Sequence, residues 1–279
     1  MKRKAVKKRV VILSFIVLFL LSVIVYIAWG NTALELNSYK LSHEDLPEGF
    51  SGFRIAHVSD LHNAEIGENN GRLIEILKNA TPDIIVITGD LVDSRRTNIN
   101  VALEFAEQAM QIAPCYYVTG NHESRMDEYD ELKDGLETIG VEVLENECIE
   151  LEYNGDKITL RGIHAPLFNV DDAYSLEELM KETCSFTLLL AHRPEKFEYY
   201  ADCDVDLVRS GHVHGGQFRL TILGGVYDPN QGIFPKYDAG LYTEENTNMI
   251  ISRGIGNSAF PFRINNRPEV ILIELESKR

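Results

Sequence analysis

Five short groups of residues able to bind metal ions punctuate this chain, each at or just past the end of an apolar run. They are Asp60-Leu61-His62, Gly89-Asp90-Leu91-Val92-Asp93, Gly120-Asn121-His122-Glu123, Ala191-His192 and Gly211-His212-Val213-His214. Taken singly, each has an ordinary explanation: a polar turn accounts for Asp-x-His, and Gly-Asp after a strand is common turn chemistry. Taken together, they supply enough carboxylate, imidazole and amide groups for two adjacent divalent cations. Such pairs of cations hydrolyse phosphoesters. Five of the eight histidines fall in these groups, which chance placement does not produce.

Spacing assigns provisional roles. Residues at i and i+2 of an extended stretch point to the same side, so Asp60 with His62, and His212 with His214, can each face one ion. Asp90 can bridge two ions through its two oxygens, and Gly89 lets the backbone come close. Asp93, about one helical turn on, is placed to orient a histidine or to cap the segment that follows. Asn121 offers a neutral oxygen, His192 ends an apolar run, and His122 points away from its neighbour toward a leaving group. A nitrogen and oxygen ligand set of this kind suits Mn, Fe or Zn. Arg95 and Arg96 could contact phosphate oxygens or begin a solvated helix. His57 reads as a core histidine, and His164 as a surface loop residue.

Sites of open α/β sheets lie outside the carboxyl ends of the strands, so the strands must be found. Phe53 to Val58, Ile84 to Thr88 and Cys115 to Thr119 are strand-like, and the β-branched second run suits a strand covered on both faces. Helices are expected at Gly71 to Asn79, Ala102 to Gln111 and Glu128 to Ile139. Val141 to Leu144, Cys148 to Tyr153 and Lys157 to Gly162 suggest a meander, with a turn at Asn154-Gly155-Asp156. A short helix at Leu176 to Glu182 and strands at Phe186 to Leu190, Val205 to Arg209, Asn248 to Ser252 and Val270 to Glu276 complete the pattern. It describes one continuous α/β domain over residues 51–279 with a sheet on each side of the core. Residues 31–50 read as a linker or a strand leading into it.

Composition narrows the partners. The net charge is −16, and the six basic residues from Lys2 to Arg9 leave the remainder with 21 basic against 43 acidic residues. So acidic a body repels extended nucleic acid, whereas bound cations would reverse the field around a compact phosphate ester. Val10 to Trp29 is apolar but for Ser14 and Ser22, long enough to cross a bilayer and longer than the apolar part of a cleaved signal peptide. Residues 1–30 therefore read as a basic cytoplasmic head and an uncleaved single-pass anchor of the cell membrane, with the catalytic body outside. Four dispersed cysteines form no metal or redox motif, and an exported body could pair them in three ways.

In order and spacing the five groups resemble the calcineurin-like metallophosphoesterase superfamily, whose motifs run D-x-H, GD-x-x-D, GNH-[DE], H and GH-x-H. The likeness continues through Gly215-Gly216-Gln217, Gly254-Ile255-Gly256-Asn257-Ser258, Pro261-Phe262-Arg263 and Arg267-Pro268-Glu269, which look like the membrane-anchored bacterial branch. The resemblance implies two mixed β-sheets packed as a sandwich and flanked by helices. It implies one ion on Asp60, His62, Asp90 and His214, a second on Asp90, Asn121, His192 and His212, and His122 as catalytic acid paired with Asp93. It also implies a hydroxide between the ions attacking a phosphomonoester, phosphodiester or pyrophosphate. Ser94 stands where protein phosphatases carry arginine, which argues against a protein substrate. Lipid-linked or wall-derived phosphoesters are the expected substrates of an anchored enzyme. The alternative is a catalytically silent, metal-stabilised protein that binds wall or membrane, although such a site would need no proton donor like His122.

Overall fold

The computed structural model describes residues 2–165, 186–258 and 260–278; the helix expected at Leu176 to Glu182 lies outside them. Helix α1 (Lys2–Thr32) carries the apolar run, its side chains from Val10 to Val25 exposed and its last turns set against the body. Strand β1 (Glu35–His43) follows directly. Within residues 31–50, this nine-residue strand pairs in parallel with the last strand of the chain.

Two six-stranded mixed sheets form the body. The first contains β1, β2 (Arg54–Val58), β3 (Ile84–Thr88), β4 (Cys115–Val118) and β5 (Glu142–Val143). The second begins with the hairpin β6 (Cys148–Tyr153) and β7 (Asp156–Ile163), then β8 (Thr187–Ala191) and β9 (Leu207–Ser210). Two small hairpins follow, β10 (Arg219–Leu220) with β11 (Gly224–Gly225), and β12 (Tyr227–Asp228) with β13 (Gly232–Ile233). Strands β14 (Gly240–Glu244) and β15 (Thr247–Ile251) close the second sheet, and β16 (Glu269–Ser277) returns to the first. The strand orders are β1-β16-β2-β3-β4-β5 and β14-β15-β9-β8-β7-β6. The expected meander is thereby divided: Glu142–Val143 ends the first sheet, and the β6–β7 hairpin begins the second.

Alternation within the strands builds three apolar layers. Ile55, Val86, Val118, Leu188, Leu207 and Ile271 meet between the sheets. Ala56, Val58, Ile85 and Ile87 point the other way, onto Leu73 and Leu77 of α2 (Gly71–Ala80), Phe105 of α3 (Ile99–Met110) and Leu132 of α4 (Tyr129–Ile139). On the far side Leu189, Val208 and Met249 pack on Phe197 and Tyr200 of a short helix. Central strands buried on both faces need no polar side, which is why β3 is apolar from Ile84 to Ile87. Strands β2, β3 and β4 run parallel, as do β7, β8, β9 and β15. Each sheet thus delivers several carboxyl ends to one edge of the sandwich.

Candidate metal centre

The loops leaving β2, β3, β4, β8 and β9 carry Asp60, Asp90, Asn121, His192 and His212, and all five meet at that edge. Asp60, His62 and His214 form one group of converging ligand atoms, and Asp90, His192 and His212 a second. In the first group, Nε2 of His214 lies 3.5 Å from Asp60 Oδ1 and 3.1 Å from Nε2 of His62. In the second, His192 Nε2 lies 3.2 Å from His212 Nδ1. Ligands about 2.1 Å from one ion stand roughly 3.0–3.4 Å from one another, so both groups have the dimensions of coordination shells.

Asp90 stands between the groups. Its Oδ2 lies 3.5 Å from His62 Nε2 and 3.3 Å from His192 Nε2. Its Oδ1 accepts the backbone N–H of His122 at 2.8 Å, which fixes the carboxylate's orientation. The remaining ligands are oriented from behind: Thr88 O lies 2.6 Å from His192 Nδ1, so that ring nitrogen donates and Nε2 is the one turned toward the other ligands. The backbone N–H of His212 points at the carboxylate of Asp60, 3.1 Å from each oxygen.

The electrostatics ask for cations. Asp60 and Asp90 are buried, and among the described residues only histidines pair with them. Burial raises the Asp60 carboxyl to about 6. Burial opposes a charge on His192 as well, yet the adjacent Asp90 pushes the imidazole up to about 10. Burial lowers His62 to about 3 and takes His212 and His214 well below the usual range, keeping them in the neutral form that binds metal. Asn121 Oδ1 is buried without a hydrogen-bond donor. An acceptor left so is costly unless something positive meets it, and the set as a whole fits two divalent ions.

The backbone is strained here. Asp60, His62, Asp90, His212 and His214 have φ of 54°, 46°, 52°, 74° and 49°, a left-handed region that costs non-glycine residues roughly 1–3 kcal/mol each. Packing leaves no room to relax. A Cβ on Gly120 would stand 2.1 Å from Asp90 Oδ1, and one on Gly211 would stand 1.9 Å from Ser59 Oγ.

His122 sits beside both groups, and at its Nδ1 the expected partner Asp93 is joined by Ser94. Its Nδ1 accepts the backbone N–H of Ser94 at 3.1 Å, while Asp93 Oδ1 lies 3.4 Å away. The Asp93 carboxylate also holds Arg95, at 2.9 and 3.1 Å, and Arg96 at 3.2 Å. Burial would raise the Asp93 carboxyl, but the bonds from Arg95 win and hold it at about 2. Burial also lowers the His122 imidazole, so it is neutral, and the Ser94 bond leaves the proton on Nε2. That nitrogen lies 3.4 Å from Ser258 Oγ, in a cavity of about 290 Å³ that Arg95, Arg125, Arg193 and Phe260 also line.

Two supports escaped the sequence reading. Glu123 is fully buried, and its carboxylate accepts the N–H groups of Asp90 and Gly120 at 2.8 Å and of Val92 at 3.0 Å. Burial, reinforced by the nearby Asp90, raises it to about 7. An acidic fourth letter in its own motif was the available signal. Arg263 is buried with Nη2 3.3 Å from His214 Nδ1, and Asn266 donates to the His214 carbonyl at 2.6 Å. His57 is a core residue against Thr88, and His164 is half-buried against Thr119.

The calcineurin-like phosphoesterase profile matches residues 53–216, the stretch that carries all five groups of candidate metal ligands. The chain belongs to the calcineurin-like phosphoesterase family. With it the chain joins the metal-dependent phosphoric ester hydrolases, and calcineurin-like phosphoesterases use a dimetal centre. Among relatives of this family, a transmembrane protein with metallophosphoesterase domain from Danio rerio is 31% identical over 84% of this chain and 55% of its own length. The chain thus spans about half of that relative. The metallophosphoesterase YkuE of Bacillus subtilis is 29% identical over 88% of this chain and 86% of its own. The phosphodiesterase YaeI of Escherichia coli is 26% identical over 80% and 82%.

Proposed function

We propose that the chain is a membrane-anchored phosphoesterase that works with two divalent ions held at the joined carboxyl ends of its two sheets. One observation carries the reading: Asp90 Oδ2 lies within 3.5 Å of a histidine from each of two groups of converging ligand atoms, with His122 beside them. Asp60, His62, Asp90 and His214 would hold one ion, and Asp90, Asn121, His192 and His212 the other. When bound, Mn, Fe or Zn ions supply Lewis acidity, which neutralises phosphoryl oxygens and lowers the pKa of water.

The rest falls to the chain itself. His122 donates from Nε2 to the leaving oxygen, and the Ser94 N–H on Nδ1 fixes that tautomer. Arg95, Arg125 and Arg193 at the cavity wall suit the outer oxygens of a phosphate ester. Asp93 acts at one remove, holding Arg95 and Arg96 in place. Residues 51–279 form the catalytic domain, with β1 (within 31–50) as its edge strand. Residues 1–30 form the anchor, with the basic head in the cytoplasm and the site outside. An anchored site favours lipid-linked or wall-derived phosphoesters over soluble metabolites.

The test is turnover of nitrophenyl phosphate and bis-nitrophenyl phosphate by the purified chain with Mn²⁺ or Zn²⁺. Chelator-sensitive hydrolysis of either is expected. No such hydrolysis of either would leave a metal-stabilised binding protein. Asp90→Asn should lose both ions together, and metal analysis that still finds two would reject Asp90 as the shared ligand.

A further inference from the structure

The hairpin β10–β11 has an unusual tip. Turn tips are ordinarily built from Gly, Pro, Asn, Asp or Ser, whereas this one reads Leu220-Thr221-Ile222-Leu223, with Ile222 93% and Leu223 61% exposed. A soluble protein gains nothing from holding isoleucine and leucine in water.

The position of the hairpin supplies the reason. Its base is tied to the loop before β16, where Arg219 N–H donates to the Ile264 carbonyl at 3.0 Å and Asn265 Nδ2 reaches the Arg219 carbonyl at 3.4 Å. Asn265 Oδ1 in turn accepts the Tyr26 hydroxyl of α1 at 2.5 Å. Tyr26, Trp29, Leu220, Thr221, Asn265 and Arg267 line one cavity of about 450 Å³ between helix and hairpin. The Arg267 guanidinium lies 4.9 Å from the centre of the Trp29 ring. Tyrosine, tryptophan and arginine together at a helix end mark the level at which a spanning helix leaves the hydrocarbon. The apolar tip therefore projects at that level.

The same face reaches the metal centre. Phe218, just before β10, packs on Phe260 and Phe262 with ring centres 5.4 and 5.5 Å away. Gln217 donates to the carbonyls of those two residues at 3.2 and 2.8 Å. Gln217 and Phe260 are also walls of the catalytic cavity.

We propose that the Leu220–Leu223 tip inserts into the bilayer beside α1, and that this second contact holds the mouth of the metal cavity, at Phe260, against the lipid surface. The occupant of this face is the bilayer itself, gripped by apolar side chains, since a chain of net charge −16 draws no help from anionic head groups. The inference rests on the anchoring proposed above, and the substrate it implies is a phosphoester presented from within the membrane.

Trp29 is the only tryptophan, so tryptophan fluorescence in vesicles of brominated phosphatidylcholine tests both ideas separately. In the unaltered full chain, quenching of Trp29 reports the anchor. In Trp29→Phe chains carrying Ile222→Trp, Phe260→Trp or, as a control on β6, Glu152→Trp, the single reporter gives the depth at each place. At least two-fold quenching is expected at position 222. At 260 it should come mainly from lipids brominated near the head group, and at 152 it should be absent. If Trp29 is quenched while the reporter at 222 stays as open to aqueous acrylamide as that at 152, the hairpin proposal fails and the anchor stands. An unquenched reporter at 260 removes the claim about the cavity mouth. An unquenched Trp29 overturns the anchor and the proposal with it.

Discussion

At the scale of single residues, the decisive detail is which atom touches His122. At Nδ1 the Asp93 carboxylate stands 3.4 Å away and the Ser94 N–H 3.1 Å away, and the closer N–H favours a neutral ring with its proton on Nε2. The ring is then a ready acid toward the cavity, and its loss should matter most when the leaving group is poor. His122→Ala is expected to lower kcat on an alkyl phosphoester by about a hundred- to ten-thousand-fold. It should lower turnover of a nitrophenyl ester far less, with metal content unchanged. Full activity of the variant on the alkyl ester would remove His122 from the mechanism.

At the scale of elements, the site is a set of strand-end loops held in left-handed conformations, and something must stop them relaxing. Glu123 does this for two loops at once, since one carboxylate collects N–H groups from the loop after β3 and the loop after β4. Removing it leaves three buried donors without an acceptor, at about 1–3 kcal/mol each. Glu123→Ala should therefore cost at least about 3 kcal/mol in denaturant unfolding and weaken metal retention. Glu123→Gln, which keeps one acceptor oxygen, should cost less. An alanine variant as stable as the parent would show that the clamp is dispensable.

At the scale of the whole molecule, the two sheets are joined by His43, the last residue of β1, and Asp206, just before β9, 3.6 Å apart. Burial raises the Asp206 carboxyl to about 6, against the bond it accepts from the Thr187 N–H. Its folded pKa lies above its unfolded one, so its contribution to stability is complete at low pH and is lost as the pH rises through about 6. Asp206→Asn cannot ionise, and should raise the Tm at pH 8 while leaving it unchanged at pH 4. Equal Tm values for the two chains at pH 8 would contradict this.

How much of this was legible in advance follows from the range of each interaction. Ligand identity, ligand order and the attachment of each group to a strand end are local properties, fixed by apolar runs and the residues that stop them. So was the long apolar helix. The division of the middle segment between two sheets could not be read, because pairing partners depend on how the strands assemble. The approach of His62 and His192 to one Asp90 oxygen, the Ser94 contact and the Glu123 clamp were hidden for the same reason, as each joins loops brought together only by packing. His214 meets His62 across 152 positions, and that meeting exists only because both sheets present their carboxyl ends at one edge. The sequence by itself determined which atoms could bind metal. The tertiary structure decided which of them converge and which are held from behind, because those distances come from packing two sheets rather than from spacing along one chain.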